Sequence, residues 1–316
     1  MGDIVLIGIR FALYADLMLI AGLAAFPLYA LTRSERHAPQ PMAAIWHAAR
    51  WLSVAGLLLS AFGMAALAAS MQGVSLFSLE FQPFWDLVRE TDVGWGWMVR
   101  IGALVVALAA ALWMTRWPSA AAATIAVSGS LAIATLVWSG HAGATEGAAG
   151  TVHRISDILH MIAAAVWVGA IGAFLLLIAP QRVHESPDGL QMAARSLDQF
   201  SLVGTICVLI IAATGLVNGQ LIVGAANLGQ SLGSPYGQLL LAKLVLFGTM
   251  LALAAVNRWR LTPALGAAIA SGDCNPGQML AAIRKSLALE ATAAVLILAL
   301  VAWFGTLEPY VPAGGI

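Results

Sequence analysis

The chain has 316 residues, of which 61% are hydrophobic and 9% charged, and its mean hydropathy is +0.89. A soluble globular domain carries about 25% charged residues, so the composition excludes one and predicts a polytopic protein embedded in a lipid bilayer. Fifteen basic and fifteen acidic residues balance to zero net charge; with no basic patch, nucleic acid is excluded as a partner.

Eight apolar segments reach the roughly 20 residues that a hydrocarbon core of about 30 Å requires. They run over approximately 4–31, 44–70, 95–115, 119–138, 154–178, 199–222, 237–257 and 284–304. In lipid, backbone polar groups must be satisfied within the segment, and no two-residue alternation is present. The prediction is an all-α bundle of eight transmembrane helices in a single domain over 1–316. The first apolar run lacks a basic leader and is long enough to span, so it reads as a helix rather than a cleaved signal.

The loops give an orientation. Arg33, Arg36 and Arg50 flank the first loop, Arg116 lies in the third, and Arg182 and Arg195 in the fifth. Arg258, Arg260, Arg284 and Lys285 flank the seventh. In the second loop Arg89 is outweighed by Glu80, Asp86, Glu90 and Asp92, and the sixth carries no charge. The positive-inside rule then puts the odd loops in the cytoplasm and both termini outside.

Taken in order, helix one carries Arg10 and, near mid-membrane, Asp16. An ionisable group at that depth is a functional candidate by default. The second loop mixes aromatics with acids and reads as a short interfacial helix, with Trp85, Trp95 and Trp97 at the aromatic belt. His141 closes helix four on the outer side. Helix five, "HRISDILHMIAAAVWVGAIGAFLLL", opens with His153, Asp157 and His160. At helical periodicity these three fall within a sector of about 60°. His160 lies about 10 Å deeper than His153.

Imidazole suits copper, zinc, iron and nickel. His141, His153 and His160 therefore read as candidate metal ligands, with Asp157 as ligand or orienting partner. His153 and His160 are two turns apart, too far for an easy shared ion on one straight helix. Trp167 and Gly169, further along, read as a helix-packing surface. In helix six, Asn218 follows Gly215 and precedes Gly219 in a GxxxG pattern, which predicts close packing and an interhelical amide hydrogen bond. Lys243, in helix seven at a depth like that of His160, is expected to pair with Asp157 or Asp16. Glu290 in helix eight has Arg284 and Lys285 as neighbours in sequence. Asp16, Asn218, Lys243 and Glu290 thus serve either a transport path or charge pairing.

Cys207 and Cys274 are far apart and form no CxxC unit, which argues against a thiolate relay. There is no P-loop, GxSxG or HExxH motif. A non-enzymatic membrane protein is expected.

The ordered run of "SGHA", "LHMIAAAVWVGAIGAF", "FSLVGTICVLIIAATGLVNG", "YGQLLLAKLVLFGTMLALAAVNRWRLTP" and "IRKSLALEATAAVLILALVAWFGTLEP" resembles the copper resistance protein D (CopD) family of bacterial inner-membrane proteins. The resemblance is specific over about 120–310 and looser over 1–118. His141, His160, Trp167, Asn218, Lys243, Asn257 and Glu290 match its motifs. It implies copper ions as cargo, a periplasmic copper-binding protein of the CopC type as partner, and import across the inner membrane. His153 and Asp157 are carried on their chemistry alone. Two other readings stay open: a haem-b or quinone-linked electron-transfer protein, and a copper sensor or assembly partner that binds without transporting.

Overall fold

The computed structural model describes residues 2–140, 143, 145–179, 187–271 and 276–307. Eight helices are long and apolar enough to cross a membrane, and no strand occurs among the described residues. They are α1 (Gly2–Ala30), α2 (Pro39–Gln72), α3 (Asp92–Trp113), α4 (Pro118–Ala134, prolonged by a 3-10 turn Thr135–Ser139), α5 (Gly147–Leu177), α6 (Pro187–Ile222), α7 (Pro235–Val256) and α8 (Pro276–Phe304).

Several helices outrun the apolar segments read from the sequence. α6 starts at Pro187 rather than near 199, and α8 at Pro276 rather than near 284. α7 continues through a π-helical turn, Asn257–Leu261, into a further helix, Thr262–Ser271. Apolarity marks only the part that crosses lipid; caps and polar contacts carry the helix on into water. Ser234 shows the capping chemistry: its Oγ accepts from the Gly237 N–H at 3.1 Å, and Pro235 occupies the first helical position. The expected interfacial helix is present at Phe81–Glu90. Trp97 is pinned rather than free at the belt, its indole N–H donating to the Ser60 carbonyl at 2.9 Å.

α1 is the axis of the bundle, in contact with α2, α4, α5, α6 and α8. Small residues allow this. A Cβ on Gly22 would overlap the Ala165 carbonyl oxygen, and one on Gly169 would overlap the Gly22 backbone. On another side of α1, a Cβ on Gly129 of α4 would lie 2.9 Å from the Ala21 Cα. Without a hydrophobic drive between helices in lipid, such backbone approach supplies the packing energy. Phe26 and Phe174 lock the same α1–α5 seam, edge to face at 5.0 Å.

The other side of α5 is built differently. α5 packs on α6, and α8 on α7, but among the described residues α6 and α7 make few close approaches along the membrane stretch. The two meet at the π-helical turn and the helix that follows it. There the Arg258 guanidinium donates to the Ser201 carbonyl at 3.2 Å and to the Thr205 hydroxyl.

Residues of the odd loops gather at this same end. Thr32 and Glu35 form a capping box. Arg195 Nη2 reaches Glu35 Oε2 at 2.5 Å, and Arg36 Nη1 donates to Ser119 Oγ at 3.3 Å. This is the basic end of the bundle.

Candidate functional site

The polar stripe of α5 is zipped to α6. Ser156 Oγ donates to the Thr214 carbonyl at 3.2 Å. Asn218 Nδ2 donates to Asp157 Oδ1 at 3.3 Å, the interhelical amide bond the sequence predicts. His160 Nδ1 lies 3.0 Å from Thr214 Oγ1.

That last contact fixes a tautomer. A threonine hydroxyl has one proton, and Thr214 Oγ1 lies 2.6 Å from the Ile210 carbonyl, which can only accept. Toward His160 the hydroxyl therefore accepts, so Nδ1 carries the hydrogen. The network assigns the bare lone pair to Nε2, the form in which imidazole binds a metal.

His153 takes a separate route. It is buried, 2% exposed, and its Nδ1 contacts Thr145 Oγ1 at 3.1 Å. It and His160 thus have different partners, as their two-turn spacing requires. Among the described residues no three of His, Cys, Asp and Glu come together as a metal site. His141 lies outside the described residues. Asp157 serves Asn218 and the Lys243 ammonium, with which it interacts electrostatically. Of the two carboxylates expected for Lys243, Asp157 lies within electrostatic range, but among the described residues the two form no ion pair within 4 Å. Lys243 also stands 5.8 Å over the Phe304 ring.

The gap between α6 and α7 holds two cavities of similar size. One, of about 640 Å³, is lined by His160, Met18, Met250, Lys243 and Gln220 among apolar residues. The other, of about 630 Å³, lies toward the basic end and is lined by Glu290, Asn257, Asp198, Ser201, Thr205 and Arg258 among apolar residues. Trp167 lines both. Its ring meets Phe247 edge to face at 6.0 Å.

Glu290 is 2% exposed. Its Oε1 accepts from Asn257 Nδ2 at 2.6 Å, and the Trp167 indole lies beside its carboxyl group. These two, rather than the sequence neighbours Arg284 and Lys285, are its partners. The reason is that α8 presents Glu290 to α5 and to the π-helical turn.

Two other readings change. Gly215 and Gly219 do not form a tight seam: a Cβ on Gly215 would meet only His160 Cε1, at 3.7 Å, and one on Gly219 nothing within 4 Å. Both face the His160 cavity. The pattern fits close packing, but α7 stands off from this face. Asp16 is buried at 5% exposure with neither carboxylate oxygen hydrogen-bonded. It faces Gly56 of α2 and lines neither cavity.

Sequence reasoning missed Thr214. The signal was present, since Thr214 and Asn218 lie four residues apart on one face of α6. It also missed Tyr14 of α1, which lies near Arg10 and within electrostatic range of Asp157.

Among the described residues eight spanning helices, with α1 as the axial one and two cavities on one flank, define a multi-pass membrane protein. Residues 1–151 match the family model "Copper resistance protein D-like, N-terminal domain", and residues 194–304 match "Copper resistance protein D". Over 317 aligned residues, the chain is 40% identical to copper resistance protein D of Pseudomonas syringae pv. tomato, covering 99% of this chain and 100% of that one. It is 29% identical to inner membrane protein YebZ of Escherichia coli (strain K12), over 81% of this chain and 84% of the relative. A shorter stretch, 38% of this chain and 21% of the relative, is 34% identical to copper transport protein CutJ of Bacillus subtilis (strain 168). The chain belongs to the copper resistance protein D family, and it is a multi-pass protein of the inner membrane.

Proposed function

We propose that this protein moves copper ions across the inner membrane, taking them into the His160 cavity from the periplasmic side. The observation that carries the reading is the donor set of that cavity. His160 presents Nε2 as a lone pair, and the thioethers of Met18 and Met250 share the same cavity. Imidazole and thioether together suit copper, Cu(I) above all. Asp157 offsets the Lys243 charge at the cavity wall, which lessens repulsion of an entering cation.

The proposed orientation follows the positive-inside rule, with the basic end cytoplasmic and both termini outside. His153 then lies on the side of delivery, where a periplasmic copper-binding protein of the CopC type would hand over its ion. The role is that of a carrier, not an enzyme. The relatives from Pseudomonas and Bacillus, named for copper resistance and copper transport, support the same reading.

The test is metal content. Purified protein loaded with Cu(I) retains copper, and the His160→Ala protein does not. Proteoliposomes with the natural chain take up labelled copper, which separates a carrier from a sensor or assembly partner. A copper-free natural protein, or unchanged copper retention in His160→Ala, overturns the proposal. A Soret band in the purified protein would replace it with a haem reading.

A further inference from the structure

The two cavities share one lining residue, Trp167, and differ in chemistry. Among the described residues no His, Cys or Met lines the cavity at the basic end. Its donors are oxygens, which are poor partners for Cu(I). Its most buried charged residue is Glu290, and the Asn257 amide beside it is also buried, at 9% exposure. The amide is half used: Nδ2 donates to Glu290 Oε1, while Oδ1 is buried and accepts nothing. An orphaned acceptor in such a place costs free energy, so it points to a missing donor.

We propose that Glu290 is a proton-binding site, and that its protonation releases Trp167 from between the two cavities. This goes beyond copper as cargo; it needs only a path through both cavities. A carboxylic acid and a primary amide pair through two hydrogen bonds in one ring. Oε1 already accepts from Nδ2. A proton arriving from the basic end onto Oε2 donates to Asn257 Oδ1 and satisfies the orphan. The same proton neutralises the carboxyl group beside the Trp167 indole and removes the attraction between carboxylate and indole N–H. Trp167, which lines both compartments, is then held less firmly by the charge beside it.

The surroundings suit such a switch. Around Glu290, α5 contributes Trp167, and the π-helical turn contributes Asn257 and Arg258. The Arg258 guanidinium is engaged with Ser201 and Thr205. From α6, Asp198 lies at the exposed edge of the cavity. On α7, Lys243 lies in the other cavity. On α1, Asp16 faces Gly56 and Arg10 lies beside Gly305. The helix Thr262–Ser271 carries no titratable side chain. A π-helical turn departs from the regular α-helical hydrogen-bond ladder, which lets Asn257 adjust.

The experiment needs no copper. In a Cys207→Ala, Cys274→Ser background, Ala164→Cys places a thiol in the His160 cavity, which Ala164 lines. A membrane-impermeant maleimide is applied from the basic end of oriented vesicles at fixed pH. Glu290→Gln, a permanently neutral stand-in for the protonated acid, is expected to raise the labelling rate roughly tenfold by shifting the population of open partitions. Trp167→Ala is expected to raise it at least as much. Labelling of Glu290→Gln no faster than that of the unsubstituted background would overturn the proposal. Difference infrared spectra of the natural chain give a second readout. A carboxylic-acid C=O band that grows on acidification and disappears in Glu290→Gln is expected. A spectrum without a band assignable to Glu290 overturns it.

Discussion

The two cavities have nearly equal volumes, about 640 and 630 Å³, and opposite donor sets. One offers an imidazole nitrogen and two thioethers, the other a carboxylate, an amide and hydroxyls. Ligand softness sorts ions more reliably than cavity size. A soft ion finds partners in the first compartment and few in the second, whereas a proton finds its natural site in the second. The contrast teaches that a path of constant width need not have constant chemistry, and that Trp167 stands where the chemistry changes.

The largest expected effect concerns the α1–α5 seam. Gly169→Leu would drive a side chain into the Gly22 backbone. Loss of folded protein is expected, read as a collapse of the monodisperse peak in detergent chromatography; a folded variant with both cavities intact would contradict the role given to this seam. Next is the soft compartment alone. Losing even a residue that merely orients a metal ligand costs about 10–100-fold in affinity. His160→Ala should therefore lower copper affinity by about 100-fold or more, while thermal stability changes little. Thr214→Val removes the acceptor that fixes the tautomer, and an affinity loss of roughly tenfold is expected. Competition with a Cu(I) chelator measures both, and unchanged affinity in Thr214→Val would refute the tautomer assignment. Neither substitution should alter the effect of Glu290→Gln on thiol labelling.

The smallest effect lies at the basic end, outside the membrane. Partial burial pushes the Glu35 carboxyl up, but the Thr32 N–H and the Arg195 guanidinium outweigh it and hold it below its ordinary value. A depressed carboxyl stabilises the fold at pH above the unfolded value of about 4.3, and that contribution is lost as pH falls through the lower folded value. Both partners are partly exposed, so solvent screens the pair and the contribution is modest. The thermal midpoint of the natural chain should fall slightly more than that of Glu35→Gln on acidification through this range. Parallel curves would show that the pair contributes nothing.

Much of the frame was legible in the sequence, because lipid enforces long apolar helices and leaves few alternatives. An interhelical amide bond from Asn218 was legible too, though not its partner Asp157; Lys243 lies within electrostatic range of Asp157 without, among the described residues, the close ion pair that the sequence suggests. What periodicity cannot supply is the neighbour that a helical face meets. It put Gly215 and Gly219 on one face without revealing that α7 stands away from it. It placed Asp16 near mid-membrane without showing that it turns toward Gly56. Trp167 looked like packing because a tryptophan among alanines and glycines fills space in either role. Its place between two compartments depends on residues from several helices, a relation no local pattern encodes.

The separation of α6 from α7 has a consequence for how the protein meets its surroundings. With few close approaches between α6 and α7 along the membrane stretch, acyl chains of the surrounding bilayer are expected to line that flank and become part of the container. Tail length and packing then act on both compartments from outside, so a protein stripped into short-chain detergent and one in native lipid are not the same vessel.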